Sequence, residues 1–220
     1  MASCVICGGS EFAPGYGGRI APNGSNPACV ACGAAERHRI VFSMYQALAP
    51  ITKDYRALQF APDNTLVDTN FKSLTFSTYD GANSLDMMNT GLPADSYDLI
   101  ASTHVLEHVS NHFVAIREMI RVVGNAGLVG VCVPSPAVVA RTKDWSYADP
   151  ANTWHYRLYG ADAGIIFSDV LDGLHTLAAV GRDSITNTND IVYWLSLDEG
   201  QLIKVTTYLQ RAQFAVVVIR

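Results

Sequence analysis

No stretch of this 220-residue chain reads GxGxxG, and none reads as a P-loop. Both motifs place glycine where backbone must approach phosphate, so hydride transfer and nucleotide hydrolysis lose their usual signatures. Long apolar runs are missing as well. The longest, such as GLVGVCV, have the length of a strand and fall short of a membrane span. The start, MASCVICGG, has neither the charged head nor the apolar run of a secretory signal, which makes the cytoplasm the expected location. Charge is scarce: 16% of residues are charged, and 15 Lys and Arg against 20 Asp and Glu leave a net charge of -5. That balance argues against a broad nucleic-acid surface. HExxH is also absent, because in HVLEHV the glutamate of residues 104–109 stands in the wrong place for a zinc protease.

Cysteine is sparse but concentrated. Four of the five cysteines form C-x2-C-x21-C-x2-C: Cys4, Cys7, Cys29 and Cys32. In an intracellular chain such pairing speaks for a metal and against a disulfide framework. Two-residue spacers let each pair grip one ion from a tight knuckle, and glycine directly after Cys7 and Cys32 permits the turn. The spacing predicts a structural Zn2+, with iron as the alternative ion, because four thiolates fill a tetrahedral shell and leave no position for substrate. The intervening 21 residues hold six glycines and three prolines and need both ends pinned. Cys132, alone in an apolar run, reads as a small buried hydrophobe. The expected division is residues 1–33 as a zinc knuckle with its loop and 34–220 as the main domain.

Hydrophobic residues make up 49% of the chain. Residues 34–49 read as a helix with Ile40, Met44, Ala47 and Leu48 on one face, stopped by Pro50. ALQFAP, KSLTFSTY, SYDLIAST and LVGVCVP read as strands, with SLDMM a weaker one. A helix from Ser110 as N-cap carries Phe113, Ile116, Ile120 and Val123 on one side. Beyond a Trp- and Tyr-rich loop, a helix is expected over residues 161–179, then the strand DIVYWLSL. LIKVTTYL and FAVVVIR read as a closing antiparallel hairpin. Alternating strands and helices with near-continuous apolar strands predict a mostly parallel, doubly wound α/β sheet covered on both faces.

Such sheets bind ligands at the carboxyl ends of their strands. Four segments qualify: Phe60-Ala61-Pro62-Asp63, Asp80, Ser102-Thr103-His104, and Pro134-Ser135-Pro136. A carboxylate at the end of the second strand can accept from both hydroxyls of a ribose, and its plain alternative is a loop-capping Asp. Glu36 to Arg39, ERHR, reads more readily as the solvated face of a helix than as an anion contact.

FAPD, Asp80, the block YDLIASTHVLEHVSNHFVAIREMIRVV, a GNAG turn, a strand ending in VP, and WHYRLYGADAG together resemble the small class I S-adenosylmethionine-dependent methyltransferases. The form with an N-terminal cysteine knuckle and RHR is the most similar, over residues 4 to 195. The resemblance implies a Rossmann-like seven-stranded sheet in the order 3-2-1-4-5-7-6, with S-adenosylmethionine across the first strands. Phe60, Ala61 and Pro62 would line its methionine portion and Asp80 its ribose. Leu85 to Met88, Asp86 and Met87 among them, would lie beside the adenine, and Ser102, Thr103 and His104 would flank the sulfonium. His155, Arg157 and Tyr159 match an HxRxYG feature on the substrate side.

Transfer of a methyl group to an O or N atom of a small molecule or sugar is the reaction this implies. His104 or His155 would then serve as base, Arg157 would orient an acidic substrate and Tyr159 would close the pocket. Trp145, Tyr147, Trp154 and Tyr156 suit an apolar, aromatic or sugar-like acceptor, although core packing explains several of them equally. Neither nucleic acid nor a membrane is an expected partner, while FAVVVIR offers an edge for a homodimer. Two rival readings stand beside this one. FAPD and GNAG depart from the family pattern and favour a cofactor-binding homologue with a different or lost reaction. The knuckle with RHR would suit a protein- or nucleic-acid-interaction module.

Overall fold

The computed structural model describes residues 2–134 and 138–219. The chain opens with a two-residue antiparallel ladder, β1 (Phe12–Ala13) against β2 (Ala28–Cys29). Helix α1 (Glu36–Thr52) follows, then β3 (Arg56–Phe60), β4 (Ser73–Ser77), β5 (Leu99–Thr103), α2 (His112–Val123) and β6 (Leu128–Cys132). A hairpin of β7 (Lys143–Asp149) and β8 (His155–Leu158) leads through the short α3 (Ala163–Ser168) to β9 (His175–Arg182). The chain ends with β10 (Asn189–Ser196), α4 (Glu199–Arg211) and β11 (Ala215–Val218).

Seven of these strands form one sheet in the order β4-β3-β5-β6-β10-β9-β11. The α/β class holds, but the sheet is mixed and not mostly parallel. The pairs β3–β4, β3–β5 and β5–β6 are parallel, whereas β6–β10, β10–β9 and β9–β11 are antiparallel. The order 3-2-1-4-5-7-6 is corrected with it. SLDMM contributes only an isolated bridge between Asp86 and Asn89, so β4 forms that edge among the described residues. The seventh strand, β11, lies on the opposite edge.

Register sorts the side chains by face. Ala57, Leu99 and Leu128 stand abreast and join Ile40, Met44, Tyr45 and Leu48 of α1 with Leu202 and Val205 of α4. Leu58, Ile100 and Val129, one residue on, point the other way onto Ile116, Met119 and Ile120 of α2. All five residues of β5 and of β6 are buried, as strands covered on both faces must be. Gly130 is needed at the centre: a Cβ there would meet the Tyr45 hydroxyl at 2.5 Å and the Trp194 ring at 3.0 Å.

Several expected boundaries move for identifiable reasons. LIKVTTYL is not a strand but lies in α4, where Asp198 caps the helix by accepting from the Gly200 N–H at 2.8 Å. Its buried Leu202, Val205 and Leu209 recur at three and four residues, a period that the hairpin reading overlooked. The helix expected over 161–179 stops at Ser168, and β9 takes over from His175. Asn111, and not Ser110, caps α2 by accepting from the Val114 N–H at 3.2 Å. Pro50 falls in the last turn of α1, where it removes one helical hydrogen bond without ending the helix, which runs on to Thr52, whose hydroxyl donates to the Leu48 carbonyl. The aromatic-rich loop is the β7–β8 hairpin.

Candidate functional site

The carboxyl ends of β3, β4 and β5 open onto a cavity of about 390 Å³. Phe60 and Ala61 supply its floor, Ser77 and Tyr79 one wall, and the segment Ser84 to Met88 another. The remaining wall comes from Val105, His108, Val109 and Ser110, with Tyr156 reaching in from the hairpin. The volume suits a small-molecule or cofactor site, and the lining is apolar with a few hydroxyls and one carboxylate, Asp86.

Three of the strand ends carry a non-glycine residue in the left-handed region: Ala61 (φ 50°), Asp80 (φ 57°) and His104 (φ 54°). Such conformations cost roughly 1–3 kcal/mol each and collect where a backbone is held for binding. The Ala61 turn is fixed from both sides. Its N–H donates to the Ser77 carbonyl at 2.9 Å, and Asp63 accepts from the Gln59 amide and from the Thr65 N–H, both at 2.8 Å, as well as from the Thr65 hydroxyl.

The profile of the methyltransferase domain family matches residues 20–164. The chain belongs to that family. No curated protein sequence matches it. Among solved structures it is similar to the Burkholderia thailandensis 1,6-didemethyltoxoflavin-N1-methyltransferase with bound 1,6-didemethyltoxoflavin and S-adenosylhomocysteine. The identity is 10%, the TM-score 0.53, and the match covers 70% of this chain and 77% of that one. It is also similar to the CurJ carbon methyltransferase, at 10% identity and TM-score 0.50, over 76% of this chain and 56% of that one. A Thermotoga maritima S-adenosylmethionine-dependent methyltransferase, a possible histamine N-methyltransferase, is similar at 11% identity and TM-score 0.46, over 73% of this chain and 91% of that one. At these identities the likeness is one of fold.

Within this methyltransferase domain the expected cofactor residues fall into two groups. Phe60, Ala61, Asp86 and Met87 line the cavity. Pro62 is exposed beside it, Asp80 is exposed in the turn one residue beyond the lining Tyr79, and Ser102 and Thr103 are buried beneath β5's end. Of Pro134-Ser135-Pro136, residues 135 and 136 lie outside the described residues. Tyr79, Ser84 and Ser110 line the cavity with no spacing signal in the sequence, and Tyr156, one of the four aromatics expected to suit the acceptor, lines it with them.

The expected catalytic residues separate as well. Arg157 is 1% exposed and fully engaged: its guanidinium donates to the carbonyls of Leu106 (3.1 Å), Val109 (2.6 Å) and Ser110 (2.9 Å) and to Asp144 (3.0 Å). It therefore holds the 106–110 turn that walls the cavity and presents no free face to an acidic substrate. Tyr159 is likewise buried, its hydroxyl paired with His112 Nδ1 at 2.8 Å, and does not reach the cavity. His155 stacks edge-on to His108 with centroids 4.5 Å apart, near the cavity wall. His104 sits behind that wall, where burial, then the Arg37 charge, pulls its pKa down to about 3 and keeps the imidazole neutral. Glu107, on the braced turn, is 1% exposed, has one oxygen without a partner, and is pushed up to about 7 by burial. On this turn Leu106 packs in the core, Val105, His108 and Val109 line the cavity, and Glu107 is buried outside the lining.

At the amino end the four expected metal ligands do meet. Their sulfurs all lie within 4.8 Å of one another, with Cys4–Cys32 at 3.8 Å and Cys7–Cys29 at 3.6 Å. The two knuckles repeat one backbone pattern. Gly8 N–H donates to the Cys4 carbonyl at 2.7 Å and Gly33 N–H to that of Cys29 at 2.8 Å, both glycines having positive φ, 77° and 73°. Tetrahedral thiolates about 2.3 Å from one ion would stand ~3.8 Å apart, so the donor set fits a closed four-sulfur site.

The ERHR helix start is not a solvated face. Arg39 is 2% exposed; it donates to Asp183 at 2.7 and 2.8 Å and to the carbonyls of Pro27 and Ala34, both at 2.9 Å. This ties the cysteine segment to the β9–β10 turn. Asn64 adds a second tie, its amide donating to the Cys32 carbonyl at 2.8 Å.

Proposed function

We propose that the chain binds S-adenosylmethionine in the cavity at the ends of β3, β4 and β5 and transfers its methyl group to an O or N atom of a small molecule or sugar. The observation that carries this reading is the cavity itself. In a chain of the methyltransferase family, Phe60-Ala61, Tyr79 next to Asp80, and the segment Leu85–Met88 converge on one opening at the switch side of the sheet. Phe60 and Ala61 would receive the methionine portion, Asp80 the ribose hydroxyls, and Asp86 and Met87 the adenine. The bound cofactor supplies an electrophilic methyl carbon on a sulfonium. The chain's own contribution is orientation, through a turn braced by Arg157 and a backbone held in left-handed conformations at Ala61 and His104.

His155, next to the cavity wall, is the better placed of the two expected bases; its pKa is lowered by burial and then by His108, so it is neutral and able to accept a proton at pH 7. The four-cysteine cluster would hold Zn2+ as a staple, with the division at residues 1–33 and 34–220. One ion would saturate its sulfurs, while Arg39 fastens the stapled segment to the β9–β10 turn and Asn64 fastens it to the turn after β3.

Titration calorimetry with S-adenosylmethionine and with S-adenosylhomocysteine tests the reading. One site per chain is expected, weakened about tenfold or more in Asp80→Ala, which removes a charge-assisted pair of hydrogen bonds. Failure of either ligand to bind the folded, zinc-loaded protein would rule it out.

A further inference from the structure

A second donor cluster lies apart from both the cavity lining and the four cysteines. His104, Cys132 and Asp190 each place one ligand atom within 4.8 Å of the other two. They come from the carboxyl end of β5, the end of β6 and the start of β10, three neighbours in the sheet. Backbone ladders fix their spacing. Thr103 pairs with Cys132, His104 N–H donates to the Cys132 carbonyl at 2.9 Å, and Cys132 pairs with Val192, two residues from Asp190. Donors projecting from ladder-bonded strand ends are held more rigidly than donors on loops.

His104 Nε2 is buried and has no hydrogen-bond partner. A neutral imidazole nitrogen without a donor or acceptor nearby is a cost that a bound ligand would remove. The thiol of Cys132 is 1% exposed, and the Asp190 carboxylate accepts from the Ile191 N–H at 2.8 Å, which orients it. A thiolate and a carboxylate balance a dication; beyond them the Arg37 guanidinium and the Glu107 and Asp63 carboxyl groups act electrostatically on Cys132.

We infer that His104, Cys132 and Asp190 form a three-ligand site for a divalent transition ion of the zinc class, distinct from the four-cysteine cluster. One nitrogen, one sulfur and one oxygen donor suit zinc or cobalt better than magnesium or calcium, which prefer oxygen throughout. Ligand separations of roughly 3.3–3.8 Å are required around such an ion, so the three atoms need move inward by only about 1 Å. Three protein ligands leave a fourth position open, the pattern of a reactive centre and not of a staple. Water or a protic acceptor group would take that position.

The test counts ions and does not depend on methyl transfer or on cofactor binding. The full chain, stripped of metal under reducing conditions, is titrated with Co2+ and followed by absorption. Two equivalents per chain are expected: one with the intense charge-transfer bands of four thiolates, and one with a weaker band from a single thiolate. Cys132→Ser abolishes the weaker band and lowers the second affinity about a hundredfold, and Asp190→Asn lowers it about tenfold or more, while His155→Ala leaves both equivalents in place. One equivalent in the wild-type chain overturns the site and leaves the cluster as a thiol donating to Asp190. So does a second equivalent lost in His155→Ala, which would move the ion to Glu107, His108 and His155. Should Cys132→Ser fail to fold, the wild-type count and its single-thiolate band decide the matter alone.

Discussion

Two buried arginines fasten two appended segments to the same sheet, and they do so by different means. Arg39 joins the cysteine segment to the β9–β10 turn through a carboxylate as buried as itself, the two side chains each 2% exposed. Arg157 joins the β7–β8 hairpin to the 106–110 turn mainly through three backbone carbonyls, and its one carboxylate, Asp144, is 43% exposed. The first arrangement closes a charge inside the protein. The second spreads a charge over carbonyl dipoles that the turn would otherwise leave unsatisfied. A buried pair is costly to break on either side, whereas a carbonyl-bound guanidinium depends little on its acidic neighbour.

The largest expected effect breaks the first tie. Arg39→Ala strands the Asp183 carboxylate in the interior and should cost about 3–5 kcal/mol in urea unfolding. Arg157→Met comes next, at about 3 kcal/mol, because it leaves the Leu106, Val109 and Ser110 carbonyls without donors. Since that turn walls the cavity, its S-adenosylmethionine affinity should fall too, by about tenfold in calorimetry; an unchanged affinity would show that the turn holds its shape unaided.

Acid sharpens the contrast. Burial opposes ionisation of Asp183, but Arg39 and Thr186 outweigh it and hold its pKa below the ordinary carboxylate value of about 4. The stabilisation this gives is complete above that ordinary value and is lost as pH falls through the folded one. The stability advantage of the wild type over Asp183→Asn should therefore shrink between pH 5 and pH 2, measured as the gap between their urea midpoints. The smallest effect belongs to the second tie: Asp144→Asn should change stability by less than about 1 kcal/mol, since its partner keeps three carbonyls. A loss as large as that of Arg39→Ala would erase the distinction between the two.

Much of the site was legible one residue at a time. Phe60 and Ala61 followed from a strand end, Asp86 and Met87 from the family resemblance, and the four cysteines from spacing, because each signal lies in a short stretch of letters. What escaped was whatever depends on who lies opposite. ERHR shows three basic side chains in a row, and nothing in those letters says that Arg39 turns inward to a carboxylate 144 positions away. Arg157 and Tyr159 read as site residues through the HxRxYG match with His155. Their neighbours in space, the 106–110 carbonyls and His112, occupy them instead. LIKVTTYL reads as a strand by composition, but its apolar residues recur at three and four positions, and the face offered by β9 and β10 buries them as a helix.

The sequence by itself determined the α/β class and the four-cysteine cluster, since the first rests on backbone periodicity and the second on ligand spacing. Tertiary structure alone decided the mixed sheet with β11 at its far edge, the inward turn of Arg39 and the convergence of His104, Cys132 and Asp190. Those features depend on contacts between segments far apart in the chain, and burial sets their energies only once the sheet has brought the partners together.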